Sequence, residues 1–410
     1  MRATKKKIAS IDLTNGSSSL LDICVSPDGK YAYVTHILSR YHLPTTQLAR
    51  GWINTNAVSV INVATMSFEN TFLLDDVDLG AANPWGITCT SDGKWLSVAH
   101  SGAHEISVID RAKLHQKLDE ATAKGESEHV PNELSFLVGL RKRIKLQGKG
   151  PRGLASIGSR IFAAEYFSGT LASVDLAPEG TPLSQSFALG DEPAMSVVRA
   201  GELFFHDGSV CFQQWQSCAS CHPGDARVDG INWDVLNDGM GNPKNTKTLL
   251  LSYDTPPTTV TGIRPNAETS TRAGIRFVLF NQLPEKHAIS VDEYLKSLTP
   301  VPSPRLVEGK LSPAAVRGKD IFDSAECSKC HPTPLFTDLK KHRVGTNTPM
   351  EPKTRFDTPT LVEIWRTAPY LHDGRAMTME EVILDSDSHG ETVDLSETEL
   401  SDLVEYVLSL

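Results

Sequence analysis

The sequence predicts a multidomain chain, β-rich in its first half and helical in its second. Three observations carry this. A strand–turn–strand unit recurs up to about residue 198, and the pattern then changes to helical segments and long loops. The pattern CxxCH occurs twice in the helical half, in SCASCHPG (217–224) and CSKCHPTP (327–334). At 410 residues the chain is too long for one compact core, so two or three domains are expected.

The β-rich units are ICVSPDGKYAYVTH (23–36), GITCTSDGKWLSVAHSGAHEISVID (86–110) and GLASIGSRIFAAEYFSGTLASVDL (153–176). Each has an apolar run, a polar turn and an alternating strand, and the units close on the similar strands AVSVINV, EISVID and LASVDL. Recurrence every ~40 to 50 residues points to propeller blades. YAYVTH (31–36) resembles the YVTN type of propeller repeat. Residues 111–135 interrupt the pattern with a charged, helical insertion. About four blades fit the available length. IASIDL (8–13) reads as the closing strand of a blade, so an incomplete propeller lacking an upstream part is expected, with a four-blade closure as the alternative. His36, His100 and His104 fall in strand ends and turns and read as structural.

The net charge of −10 argues against nucleic acid as a partner. No apolar run approaches ~18 residues, so no membrane span is expected. The basic start MRATKKKIASIDL has no apolar stretch after it, and no signal peptide is read. Of seven cysteines, four belong to the CxxCH pair. Cys24, Cys89 and Cys211 remain, an odd number that argues against a disulfide framework. Cys24 and Cys89, in apolar strands, read as small buried hydrophobes.

In CxxCH, two thiols with two residues between them match the vinyl groups of haem, and the next His lies under the iron. Zinc is the rival, yet each copy supplies three ligands where a closed site needs four. Two copies inside similar flanks favour two covalent c-type haems on Cys218, Cys221 and His222, and on Cys327, Cys330 and His331. The flanks are themselves duplicated. RAGELFF (199–205) and VRGKDIF (316–322) precede the motifs, and TKTL (246–249) matches TPTL (358–361). Pro257 matches Pro369, TGIR (261–264) matches HDGR (372–375), and EYLKSL (293–298) matches EYVLSL (405–410). Ser396 and Glu399 form a capping box before the last helix. Two α-helical cytochrome c-like domains, 199–304 and 305–410, are expected behind the propeller-like region 1–198, joined by the Pro-rich TPVPSPRL (299–306).

FDTPTLVEIWRTAPYLHDGRAMTMEEV (356–382) resembles the C-terminal domain of bacterial dihaem cytochrome c peroxidases and MauG-type enzymes, a resemblance covering about residues 199–410. It implies a peroxide-reactive first haem and a six-coordinate second haem that relays electrons. It places the second haem's sixth ligand at Ser386, which cannot serve. His389, three residues on, is the expected ligand, with Met377, Met379 and Met350 as alternatives. The matching first-unit position, Phe277, cannot bind iron, so an open first haem is expected, unless Met240 closes it. The resemblance places the distal acid/base near Gln282, Glu285 and His287, with Glu285 preferred, although its Gln position falls on Ala273. Arg264 and Arg375 are candidates for the haem propionates. The inter-haem Trp of the family is missing from VTGIR, and Trp233 reads as a substitute or as core. Calcium between the haem domains is allowed by the resemblance. The implied activity is reduction of hydrogen peroxide or a related oxidant, with electrons from a small cytochrome, a cupredoxin or a protein substrate. Because bacteria attach c-type haem outside the cytoplasm, a periplasmic location follows. The rival is a dihaem electron carrier with a propeller as partner-binding module.

Overall fold

A computed structural model describes residues 7–43, 53–176, 182–191, 194–235, 243–385 and 389–410. The first half holds three four-stranded antiparallel sheets, each with its strands in chain order. The first contains β1 (Ser17–Val25), β2 (Tyr31–Ser39), β3 (Asn54–Asn62) and β4 (Ser67–Leu73). The second contains β5 (Pro84–Cys89), β6 (Trp95–His100), β7 (Glu105–Asp110) and, after helix α1 (Arg111–Ala123), β8 (Arg141–Lys145). The third contains β9 (Pro151–Ile157), β10 (Arg160–Glu165), β11 (Thr170–Asp175) and β12 (Ser184–Ala188). The first strands β1, β5 and β9 lie side by side.

The hairpin turns follow from their residues. In SPDGKY, Asp28 accepts from the Ser26 hydroxyl and the Lys30 N–H, and Gly29 takes φ +70°. In TSDGKW, Asp92 accepts from Thr90 and Lys94, and Gly93 takes the same φ. Arg111 bridges both turns, donating to Asp28 and to the Gly93 carbonyl. Apolar faces then bury between sheets. Tyr33, Val58 and Phe72 meet Ile87, Leu96 and Val98, with Leu114 and Leu118 of α1 covering one side. Ile106, Val108 and Ile144 meet Ile161, Ala163 and Val174.

Two expectations are corrected. AVSVINV, EISVID and LASVDL are third strands, not closing ones, and a fourth strand follows each, so the same length makes three sheets rather than four. In the second sheet the fourth strand, RKRIK, lies beyond the helical insertion, where its charge hides it from a pattern search. Residues 8–13 form no strand; Ile8 is 82% exposed, so the alternation has no face to bury against.

Helices dominate from residue 197. They are α2 (Val197–His206), the one-turn α3 (Cys218–Cys221) and α4 (Pro223–Ala226), α5 (Ala267–Phe277), α6 (Glu285–Lys296), α7 (Pro313–Ser324), α8 (Met379–Leu384) and α9 (Glu397–Val407). The duplication reappears in three dimensions. Helix α2 crosses α6 at Gly201, where an added Cβ would lie 1.8 Å from the Ser290 carbonyl oxygen and 2.8 Å from Tyr294 Cβ. Helix α7 crosses α9 at Gly318, where the same atom would lie 1.9 Å from the Asp402 oxygen and 2.8 Å from Tyr406 Cβ. Short strand pairs recur too: Asn232–Trp233 with Lys244–Asn245, and Lys341–His342 with Phe356–Asp357. The capping box at Ser396 and Glu399 is present. Among the described residues, no helix is long and apolar enough to cross a membrane.

Candidate functional site

Both CxxCH motifs open onto a cavity of about 600 Å³. Cys218, Cys221 and His222 line it from the first helical unit, and Cys327, Cys330 and His331 from the second. All four cysteines are free thiols. Burial pushes the Cys218 thiol up to about 12 and Cys327 up to about 11, and also raises Cys221 and Cys330. The four sulfurs therefore stay protonated and apolar in this setting.

The two histidines are held alike. His222 Nδ1–H donates to the Arg227 carbonyl at 3.2 Å, and His331 Nδ1–H donates to the Phe336 carbonyl at 2.9 Å, each acceptor five residues on. With Nδ1 protonated, Nε2 keeps its lone pair. Burial pushes both imidazoles down to about 4, so both are neutral at pH 7.

The first motif is clamped by the sheets. Asn83 donates to the Ser217 hydroxyl at 2.7 Å and accepts from the Ser220 hydroxyl at 2.7 Å. Asn54 donates to Gln216 at 2.8 Å and to Cys221 Sγ at 3.3 Å, and Asn56 donates to the Trp215 carbonyl. The β-rich half thus supplies part of the first site.

Helix α5 presents Ala267, Ser270, Thr271 and Gly274 to the cavity, and nothing lies within 4 Å of the position a Gly274 Cβ would take. No His or Met stands on this face of α5. Behind it, Tyr253 bridges Thr271 (3.2 Å) and the buried Asp292 (2.6 Å). Around the second motif, His389 lines the cavity, and an added Cβ on the adjoining Gly390 would lie 3.8 Å from Cys327 Sγ. Burial holds His389 below the ordinary imidazole range, and its Nδ1 is buried without a partner.

The other expected residues divide. Met379 is buried and lines the cavity, whereas Met377 (64%) and Met350 (60%) are exposed and do not. Met240 and Ser386 lie outside the described residues. Glu285 and Gln282 do not reach the cavity: both are exposed, and Glu285 pairs with Arg272. His287 stacks on Phe204 instead. Phe277 turns outward and is 55% exposed. The Arg375 guanidinium is taken up by Asp373 and the Thr346 carbonyl. Arg264 is half-buried and its side chain has no polar partner among the described residues. Trp233 is buried, lines the cavity and donates to Asp229 at 2.8 Å. His36 and His100 bond Ser59 and Ser107 inside their sheets, and His104 pairs with Asp207.

Several site groups went unread in the sequence. Glu351 pairs with Lys244 at 2.9 Å and its carboxylate lies 2.7 Å from His372 Nε2, joining the two helical units beside the cavity. Lys247 pairs with Asp357 in the same wall. HDGR held the signal for His372, but its partner Glu351 lies in an irregular segment. Cys330, Asp338 and His342 form a cluster of metal-grade donors within 4.8 Å of one another.

No protein-family profile matches the chain. The hydrazine synthase gamma subunit of Kuenenia stuttgartiensis is 30% identical over 274 residues, covering 52% of this chain and 77% of that protein. The beta subunit from the same organism is 28% identical over 163 residues, covering 39% of this chain and 42% of that protein. The methylamine utilization protein MauG of Methylophilus methylotrophus is 25% identical over 314 residues, covering 61% of this chain and 93% of that protein. The chain belongs to the family of the hydrazine synthase gamma subunit.

Proposed function

We propose that the chain is a dihaem c-type oxidoreductase of the periplasm, with one haem thioether-linked at Cys218 and Cys221 and the other at Cys327 and Cys330. The observation that carries this reading is the matched pair of histidines, each fixed through Nδ1 to a carbonyl five residues on and each lining the cavity. The residues fit the group. The thiols are half-buried at the cavity and reduced, as thioether formation requires. The cavity wall is largely apolar, and His389 lines it beside the second motif. The Cys330–Asp338–His342 cluster would lose its sulfur to the thioether, and a thiol is a poor donor for calcium.

In this reading the two sites differ. His222 would hold the group at the first site, where α5 lines the cavity with small side chains and offers no His or Met, and His331 and His389 would hold it at the second. Bound haem supplies redox-active iron. Thr271, backed by Tyr253 and Asp292, replaces Glu285 as the proton-handling group, because it faces the cavity and Glu285 does not. A small oxidant such as hydrogen peroxide binds at the first site, and a donor protein supplies electrons through the second. The side-by-side sheets read as three blades of a partial propeller that both docks partners and clamps the first site.

A second reading has a specific observation behind it. The gamma and beta subunits of one hydrazine synthase both match the chain, over 52% and 39% of it. The chain would then combine features of both subunits, and its small substrate would be a nitrogen compound rather than peroxide.

Haem attachment is tested on the full chain exported in a host that matures c-type cytochromes. Mass spectrometry after denaturation should show two haems per chain, falling to one in Cys218→Ala/Cys221→Ala. A haem-free chain carrying zinc would overturn the reading.

A further inference from the structure

Outside the CxxCH cavity, one pair of reactive groups stands apart. Cys24 Sγ and Cys89 Sγ lie 3.8 Å from each other, although 65 residues separate them in sequence. Cys24 is on β1 of the first sheet and Cys89 on β5 of the second. Both are half-buried against the core between those sheets, within reach of small solutes. The seam is already registered by polar bonds: the Ile87 N–H donates to Asp22 at 3.0 Å, and the Thr35 hydroxyl donates to the Trp85 carbonyl at 2.6 Å. The sulfurs must approach by less than 2 Å to reach a bond of ~2.05 Å, a change on the scale of side-chain rotation.

We propose that Cys24 and Cys89 are an oxidation site that closes into a disulfide joining the first two sheets. The oxidant is a disulfide, small or protein-borne. The Cys89 thiolate attacks one oxidant sulfur, forming a mixed disulfide and releasing one oxidant thiol. The Cys24 thiol gives up its proton and attacks the Cys89 sulfur, releasing the second. Two protons and two electrons leave the protein, and the oxidant is reduced to two thiols. The electrostatics suit this order. The Cys24 thiol and then the Arg111 guanidinium hold Cys89 below the ordinary thiol range, whereas the Cys89 sulfur and burial push Cys24 up. The third cysteine outside the CxxCH motifs, Cys211, is buried at the first CxxCH motif and takes no part. An odd cysteine count therefore hides one pair and one spectator. The inference does not depend on the haem reading.

The test uses the full chain, reduced and then treated with oxidised glutathione, denatured in iodoacetamide and mapped by peptide mass. The expected product is a Cys24–Cys89 cross-linked peptide, with Cys211 alkylated before and after oxidation. The thermal midpoint should rise by about 5–10 °C on oxidation and not move in Cys24→Ser or in Cys89→Ser. Full alkylation of both cysteines after oxidation, stable glutathione adducts in place of the cross-link, or an equal midpoint rise in the two variants would overturn it.

Discussion

Arg227 and Glu363 form a buried two-point ion pair between the helical units, with Nε and a terminal nitrogen each 2.9 Å from a carboxylate oxygen. The carbonyl of the same Arg227 accepts the His222 Nδ1–H. One residue thus orients the first-motif histidine and ties its loop to the second unit. The Arg227 and Glu363 side chains are 6% and 1% exposed, so removing Glu363 strands the buried guanidinium, whereas removing Arg227 leaves Glu363 paired with Arg366. Glu363→Ala should cost about 3–5 kcal/mol in denaturant unfolding, and Arg227→Ala less. Arg227→Ala/Glu363→Ala should cost less than the sum of the single changes, which a double-mutant cycle measures. Burial raises Glu363, but Arg227, the Val301 N–H and Arg366 outweigh it and hold the carboxyl low. This contribution is present above the ordinary carboxylate range and is lost as pH falls through the lower folded value.

The sheet-borne clamp should be local to the first motif. Asn83 sits at φ +56°, so Asn83→Gly keeps the backbone and removes only the side chain. Loss of its bonds to Ser217 and Ser220 should cost about 1–3 kcal/mol. The spectrum of the first haem should broaden while that of the second is unchanged.

The helix crossings should tolerate no methyl group. Gly201→Ala and Gly318→Ala each place Cβ inside a carbonyl contact of the partner helix. Each should lose at least about 2–3 kcal/mol in chemical denaturation, or fail to accumulate.

Acid sensitivity should depend on ligation. His222 and His331 sit near 4 in the fold, below the ordinary ~6.5 of the unfolded chain. The unfolded state therefore takes up protons first, and stability present above ~6.5 is lost as pH falls toward 4, by roughly 3 kcal/mol per histidine. Iron at Nε2 would block that protonation. Urea unfolding between pH 7 and 4.5 should show a steeper loss for the haem-free chain than for the loaded one.

The legible part of this molecule was whatever local chemistry writes into a short stretch. CxxCH, the SPDGKY and TSDGKW turns and the Ser396–Glu399 cap each hold their reason within a few residues. The duplicated flanks were legible because two copies could be aligned, and Gly201 and Gly318 show what the alignment meant: a helix crossing built twice. Side-chain direction was not legible from matched positions. At about 100° per residue, Ala267, Ser270, Thr271 and Gly274 share one face of α5, and Phe277 falls only about 20° beyond Ser270, yet at the helix end it is exposed. Thr271 therefore lines the cavity, where position counting chose Glu285. The clamp at Asn83 joins residues 137 apart, and no local pattern records it.

The central claim is that two covalent haems sit in unlike sites, the first open and the second closed by His331 and His389. Electron paramagnetic resonance of the ferric, exported full chain tests it most directly, before and after peroxide, alongside His389→Ala. The account predicts one high-spin and one low-spin signal per chain. Peroxide should alter the high-spin signal first, and His389→Ala should convert the low-spin signal to high-spin. Two low-spin signals inert to peroxide and unchanged in His389→Ala would contradict it.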